Sequence, residues 1–407
     1  MNSPTARSLD LAWVRARFAA LESEWALMDN AGGSAPLTAV STRIAEYMQR
    51  WPVQLGASYG PSAQAGERQI EARRALAGMF ATAGGPAPAP EQIAIGASTT
   101  SMLSRLARSL APSFSPGDEI IVSDADHEAN IGPWLRLAAS GLRIRWWHIR
   151  RASMRLEIED LDALLSARTR LICFTHASNL LGTAHDLSAV VSRARDCGAR
   201  TCVDGVAFAP HRGLAAVNWG VDWYALSLYK TFGPHCALLF SAADAAQGLA
   251  SLNHEWMAAA DAATKLEPGA CPYELAWGAA AVPEYLQEVA TRHGGRPFDA
   301  PAAHEQALTA RLLDWLDTRA GVRVLGAARV GPERLPTVSF VVEKRSPAEV
   351  VAFADRAGLG IRHGHFYAPR LVAALGLKSE GVVRVSLAHY NTPEEVDRLI
   401  LALEPAL

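Results

Sequence analysis

The chain has 407 residues and a formal net charge of −2; half of its residues are apolar and 20% are charged. That length holds one large domain with a smaller partner, or two substantial cores. The near-neutral balance leaves no global basic field for nucleic acid or for an anionic membrane, and no apolar run approaches the ~18 residues of a membrane span. The first ten residues are polar, so no secretion signal is expected. The five cysteines, Cys173, Cys197, Cys202, Cys236 and Cys271, are scattered and odd in number. They fit buried thiols in a reducing cytoplasm, and they offer neither a disulfide framework nor a metal site.

Leu11, Val14, Phe18, Leu21 and Trp25 recur at helical spacing and predict an amphipathic helix over 10–25. The segment from Met28 to Pro36 is turn-rich and carries two glycines. Helices are expected at 37–50 and 64–80, and the Gly-Pro-Ala tract over 84–90 reads as a surface loop. From residue 92 short apolar runs alternate with helical stretches. Strands are expected at 93–95, 119–122, 143–149, 171–175, 200–203, 223–227 and 236–240. The helices between them fall at 99–110, through Trp134 to 139, at 158–165 and at 188–197. This order predicts an α/β fold with a mostly parallel sheet covered by helices. Arg143, Arg145, Arg150, Arg151 and Arg155 read as the solvated edge of a strand and turn.

After about residue 280 the pattern shifts. Helices at 305–318, 347–357, 369–375 and 393–403 are interspersed with strands at 322–325, 337–342, 360–362 and 382–387. We expect three units: an N-terminal helical segment over 1–29 that packs with the small domain, a large α/β domain over 30–280, and a small α+β domain over 281–407.

In parallel sheets ligands bind beyond the carboxyl ends of the strands, and the residues with chemistry lie there. The run Ser227-Leu228-Tyr229-Lys230-Thr231-Phe232-Gly233-Pro234-His235 follows an apolar strand. It sits about one βα unit after Val203-Asp204-Gly205. A lysine at a strand end, flanked by hydroxyls and preceded by an acid, is what pyridoxal phosphate needs. The lysine forms a Schiff base with the aldehyde, and the acid pairs with the pyridine nitrogen. Burial would favour the neutral amine. Ser98, Thr99 and Thr100 open a helix, where hydroxyls and free N–H groups bind anions; Ser227 and Tyr229 add hydroxyls from the other side. His127 either opens a helix at the surface or stacks on the cofactor ring. Asn179 either forms a turn or donates to the cofactor's phenolic oxygen. Arg384 stands in the apolar run Val383-Arg384-Val385, either at a sheet edge or as the partner of a substrate α-carboxylate.

Together these residues resemble the class V aminotransferase superfamily, in particular the cysteine desulfurase and selenocysteine lyase branch of fold-type I pyridoxal-phosphate enzymes. The likeness is carried by Asp126-His127-Glu128-Ala129-Asn130-Ile131-Gly132-Pro133-Trp134, by His176-Ala177-Ser178-Asn179-Leu180-Leu181-Gly182-Thr183, by Val203-Asp204-Gly205 and by Arg384-Val385-Ser386-Leu387-Ala388-His389-Tyr390-Asn391-Thr392. It implies a cofactor held on Lys230, a small-molecule amino-acid substrate and a homodimer with shared active sites.

The chain departs from the branch at four places. Tyr229 replaces a histidine before the lysine. Ala207 stands where glutamine or histidine is usual. Gly269-Ala270 lacks the hydroxyl of a Gly-Thr pair that reaches the neighbouring subunit's phosphate. The loop Arg362-His363-Gly364-His365-Phe366-Tyr367 ends in tyrosine where the branch carries its sulfur-accepting cysteine. A phenol accepts no sulfane sulfur. The resemblance therefore implies a desulfurase-like lyase that works by β-elimination without a persulfide relay, with Arg362, His365 or Tyr367 near the leaving group. Transamination, epimerisation and decarboxylation use the same cofactor and stay open. A non-catalytic relative is opposed by the joint presence of Lys230, Asp204, His127 and Arg384.

Overall fold

The computed structural model describes residues 8–257 and 261–407. A two-residue strand, β1 (Ala26–Leu27), comes first. Seven strands then build the central sheet: β2 (Ile93–Gly96), β3 (Glu119–Ser123), β4 (Arg143–Trp147), β5 (Thr169–Thr175), β6 (Arg200–Asp204), β7 (Trp223–Ser227) and β8 (Ala237–Ser241). Their order across the sheet is β2-β8-β7-β6-β5-β3-β4. Neighbours among β3 to β7 run parallel, and β8 lies antiparallel to both β7 and β2.

Both faces of the inner strands are covered, so these are largely apolar, whereas edge strand β4 alternates Arg143 and Arg145 with Ile144. Ile121, Ile172, Phe174, Val203 and Leu226 enter one core. Their neighbours Ile120, Val122, Leu171, Cys173, Cys202 and Ala225 enter the other. The helix Leu187–Asp196 packs Val190 and Val191 on the first face. The helix Thr99–Leu110 packs Met102, Leu103 and Leu106 on the second. The basic stretch lies on edge strand β4 and the turn after it, where Arg150 pairs with Asp160 and Arg155 with Glu333.

A second sheet follows, from β9 (Val322–Leu325), β10 (Thr337–Val342), β12 (Arg362–Gly364) and β13 (Val382–Ser386), all antiparallel in the order β12-β13-β10-β9. Between them β11 (Leu359–Gly360) pairs parallel with β1. Helices Asp299–Asp317, Pro347–Arg356 and Pro393–Leu403 press Leu312, Val350 and Leu399 onto Val338, Phe340, Val383 and Val385. Among the described residues no helix is long and apolar enough to cross a membrane.

The expected helix over 10–25 is broken. The chain forms a helix at Leu11–Arg15 and a 3-10 turn at Ala19–Glu22, with Phe18 in a non-helical conformation between them. Phe18 inserts among Phe232, Tyr285, His389 and Tyr390, and the Arg17 carbonyl accepts from Thr38 N at 2.8 Å. These tertiary contacts outweigh the helical spacing. The helix Ala281–His293 lies outside the elements expected from the sequence and contains Pro283. This proline sits in the first turn, where a missing N–H costs no helical bond.

Candidate active site

The carboxyl edge of the central sheet gathers the candidate residues. Asp204 is the last residue of β6 and Ser227 the last of β7. His127 lies four residues beyond β3, and Asn179 four beyond β5. Lys230 closes a 3-10 turn directly after β7. Ser98 follows β2 and caps the helix Thr99–Leu110, its Oγ accepting from Ser101 N at 3.1 Å. A Cβ on Gly205 would lie 2.0 Å from the Tyr224 ring, so only glycine lets the chain leave Asp204 along this path.

Two connected spaces result. A small chamber of about 50 Å³ is lined by Ser98, Thr99, Thr100, His127, Asn179, Asp204, Ala207, Ser227, Tyr229 and Lys230. It opens into a cleft of about 1000 Å³ whose lip carries Arg362, His365, Phe366 and Tyr367, with Arg384 in its wall. Every candidate residue lines one space or the other.

Burial sets the electrostatics of the chamber. Lys230 is 8% exposed, and burial with Arg384 nearby pushes its ammonium down to about 8, against the pull of Asp204. The other buried lysine, Lys265, gives its amine to the Ala246 carbonyl at 2.8 Å and the Gln247 carbonyl at 3.3 Å. Burial raises Asp204 while Val206 N, donating to its Oδ1 at 2.9 Å, and Lys230 hold it down. His127 falls to about 4 through burial and then the charges of Lys230 and Arg384. Its Nδ1 accepts from Ala129 N at 3.0 Å, which places the proton of the neutral ring on Nε2.

The polar groups are partly spoken for. Thr99 Oγ1 and Ser227 Oγ are 2.8 Å apart. The N–H groups of Thr99 and Thr100, first in their helix, have no intrahelical acceptor. Asn179 Nδ2 donates to the Phe366 carbonyl at 2.9 Å, and its Oδ1 is buried without a partner. Tyr229 stacks on His235 with centroids 4.8 Å apart.

Arg384 lies on inner strand β13 and is 1% exposed, which excludes the sheet-edge alternative. Its Nη2 donates to Asp29 Oδ1 at 2.6 Å and its Nη1 to the Asn179 carbonyl at 3.2 Å. The guanidinium stacks 3.7 Å from the Phe366 ring centroid. At the lip, Phe366 and Tyr367 have φ of 51° and 56°, consecutive left-handed residues that cost about 1 kcal/mol each. Glu128 N donates to the Tyr367 carbonyl at 2.8 Å and helps hold that turn. Tyr367 is 65% exposed, and its ring lies 5.4 Å from the His127 ring. Asp29 and Phe366 escaped the sequence reading. The only signal for Asp29 was an acid inside a Gly-rich turn, and its partner is 355 residues away.

A family model, Aminotransferase class-V, matches residues 26–399. The chain belongs to the class V aminotransferase family. An aminotransferase-like protein of Gibberella zeae is 41% identical, over 98% of this chain and 99% of that one. A cysteine desulfurase-like protein of Aspergillus flavus is 31% identical, over 97% of this chain and 90% of that one. Among solved structures, the cysteine desulfurase CsdA of Escherichia coli superposes with a TM-score of 0.85 at 25% identity, over 98% of each chain. The family is pyridoxal-phosphate dependent, and the side chains that line the chamber and adjoining cleft suit that group. The chamber holds a buried amine, a buried acid, a helix start with free N–H groups and the orphaned Asn179 Oδ1.

Proposed function

We propose that the protein is a pyridoxal-phosphate lyase that cleaves a carbon–sulfur bond at Cβ of a small amino acid, by β-elimination and without a persulfide relay. One observation carries this reading. Tyr367 stands at the lip where the resemblance calls for a sulfur-accepting cysteine, and among the described residues no cysteine lines the chamber or the cleft. Elimination needs no sulfur acceptor.

Bound in the chamber, pyridoxal phosphate supplies a sink for the electrons released at Cα. Lys230 would hold it covalently, Asp204 would face its ring nitrogen, and the helix start at Ser98, Thr99 and Thr100 with Ser227 would hold its phosphate. His127 would cover the ring, and Asn179 and Tyr229 would border it. Neutral His127 adds no second cation beside the lysine. Arg384 receives the substrate α-carboxylate. Released when the substrate's amine takes its place on the cofactor, Lys230 Nζ would take the Cα proton. The Cβ–S bond breaks with its electron pair on sulfur, and the thiolate leaves past Arg362, His365 and Tyr367. Water completes the three-carbon remainder as pyruvate and ammonia.

The test mixes purified holoenzyme with cysteine S-conjugates and measures pyruvate and thiol. Equal release of both, absent in Lys230→Ala, is expected. No turnover above that control overturns the reading. A second reading, transamination, is favoured by the aminotransferase-like relative at 41% identity. Conversion of pyruvate to alanine with an amino donor, without thiol release, would select it.

A further inference from the structure

The amino-acid site contains an acid that no step above uses. Arg362 of β12 and Arg384 of β13 are direct cross-strand partners in the register of the small sheet. Like charges opposite one another destabilise a strand pair. Asp29 answers both: its Oδ1 accepts from Arg384 Nη2 at 2.6 Å, and its Oδ2 lies 3.7 Å from Arg362 Nη1.

The backbone fixes the acid in that place. Ser386 N donates to the Met28 carbonyl at 2.8 Å, and Asn30 N donates to the Ser386 carbonyl at 3.2 Å. Asp29 itself forms a parallel bridge with Ser386, two residues beyond Arg384 on the same strand. Gly32 leaves the carboxylate its room, since a Cβ there would lie 2.5 Å from Asp29 Oδ2. Two guanidinium groups around one carboxylate leave one positive charge unmatched at the wall of the cleft. Arg384 Nε is buried with no partner.

We propose that Asp29 is a positioning residue that joins Arg384 and Arg362 into a single clamp for the α-carboxylate of the substrate. The proposal rests on the reading of the cleft as a cofactor-bound amino-acid site. Asp29 holds Arg384 in one plane and draws the exposed Arg362 toward it. The clamp then matches one added carboxylate and rejects an amine that lacks it.

The experiment titrates reconstituted protein with L-alanine and with ethylamine, reading apparent dissociation constants from the shift of the cofactor's visible band. Asp29→Asn is expected to weaken L-alanine at least tenfold while ethylamine is unchanged, and Asp29→Glu is expected to recover part of the loss. In a crystal of the cofactor-free Asp29→Asn protein, Arg362 is expected to leave the neighbourhood of Arg384. If Asp29→Asn does not fold, Arg362→Gln, a change at an exposed side chain, is expected to give the same selective loss. L-alanine binding unchanged or tightened in the variant that folds overturns the proposal. An equal loss for both ligands also overturns it. A wild-type protein that takes up no cofactor instead defeats the underlying reading of the site, which is a distinguishable result.

Discussion

The floor and the lip of the cleft are built of different material. Floor residues stand within four positions of a central-sheet strand end and are mostly buried: Lys230, Asp204, His127, Asn179 and Ser227. The lip is strand β12 and the loop after it, which expose Arg362, His365 and Tyr367 and run through two left-handed residues. Burial at the floor shifts the protonation of an amine, an acid and an imidazole together, so each depends on the others. At the lip a side chain can change without disturbing the sheet below. On the proposed reading the floor carries the chemistry and the lip selects the substrate.

The comparison breaks most visibly at the floor. Lys230→Ala is expected to lower turnover by about 10³-fold or more, measured as pyruvate release. Asp204→Asn is expected to cost roughly 10²-fold while the protein still takes up cofactor, since the lysine remains. Retention of full rate in either variant would move the chemistry away from the floor.

Two pH effects sharpen it. Covalent attachment of the cofactor needs the neutral amine, and Lys230 titrates at about 8. The rate of reconstitution of cofactor-free protein should therefore rise about tenfold per unit below pH 8 and level off above it. The second effect concerns acid. His127 titrates near 6.5 when unfolded and at about 4 when folded. Between these values the unfolded chain binds more protons, so this contribution to stability is present above about 6.5 and is lost as pH falls toward 4. His127→Gln should recover roughly 2–4 °C of the melting-temperature drop between pH 7 and pH 4.5, measured by calorimetry.

The lip should give the smallest effects on the protein and the most selective ones on substrate. Tyr367→Ala is expected to leave cofactor uptake and melting temperature unchanged and to alter KM for bulky S-conjugates a few-fold. A lost cofactor band in that variant would make the lip part of the floor.

Much of the floor was legible in the sequence because strand ends are marked by apolar runs that stop at a polar residue. Asp204 after Thr201-Cys202-Val203 and Lys230 after the run 223–227 are both read this way. The lip loop was legible only through its likeness to a known motif. The clamp was not legible, because the Asp29–Arg384 pair joins segments 355 residues apart and neither flanking pattern marks the contact. Local spacing misled at 10–25, where Phe18 is claimed by an aromatic cluster drawn from three distant segments.

The chain has four lysines, Lys230, Lys265, Lys344 and Lys378, and Lys230 alone lines the chamber. That makes one measurement decisive. Purified holoenzyme is reduced with borohydride, which fixes a lysine-bound cofactor irreversibly, and its proteolytic peptides are weighed. The phosphopyridoxyl mass should appear on the peptide that contains Lys230 and on no other. The same mass on Lys265, Lys344 or Lys378, or on no peptide of a protein loaded with cofactor, would contradict the assignment of the floor as the catalytic centre.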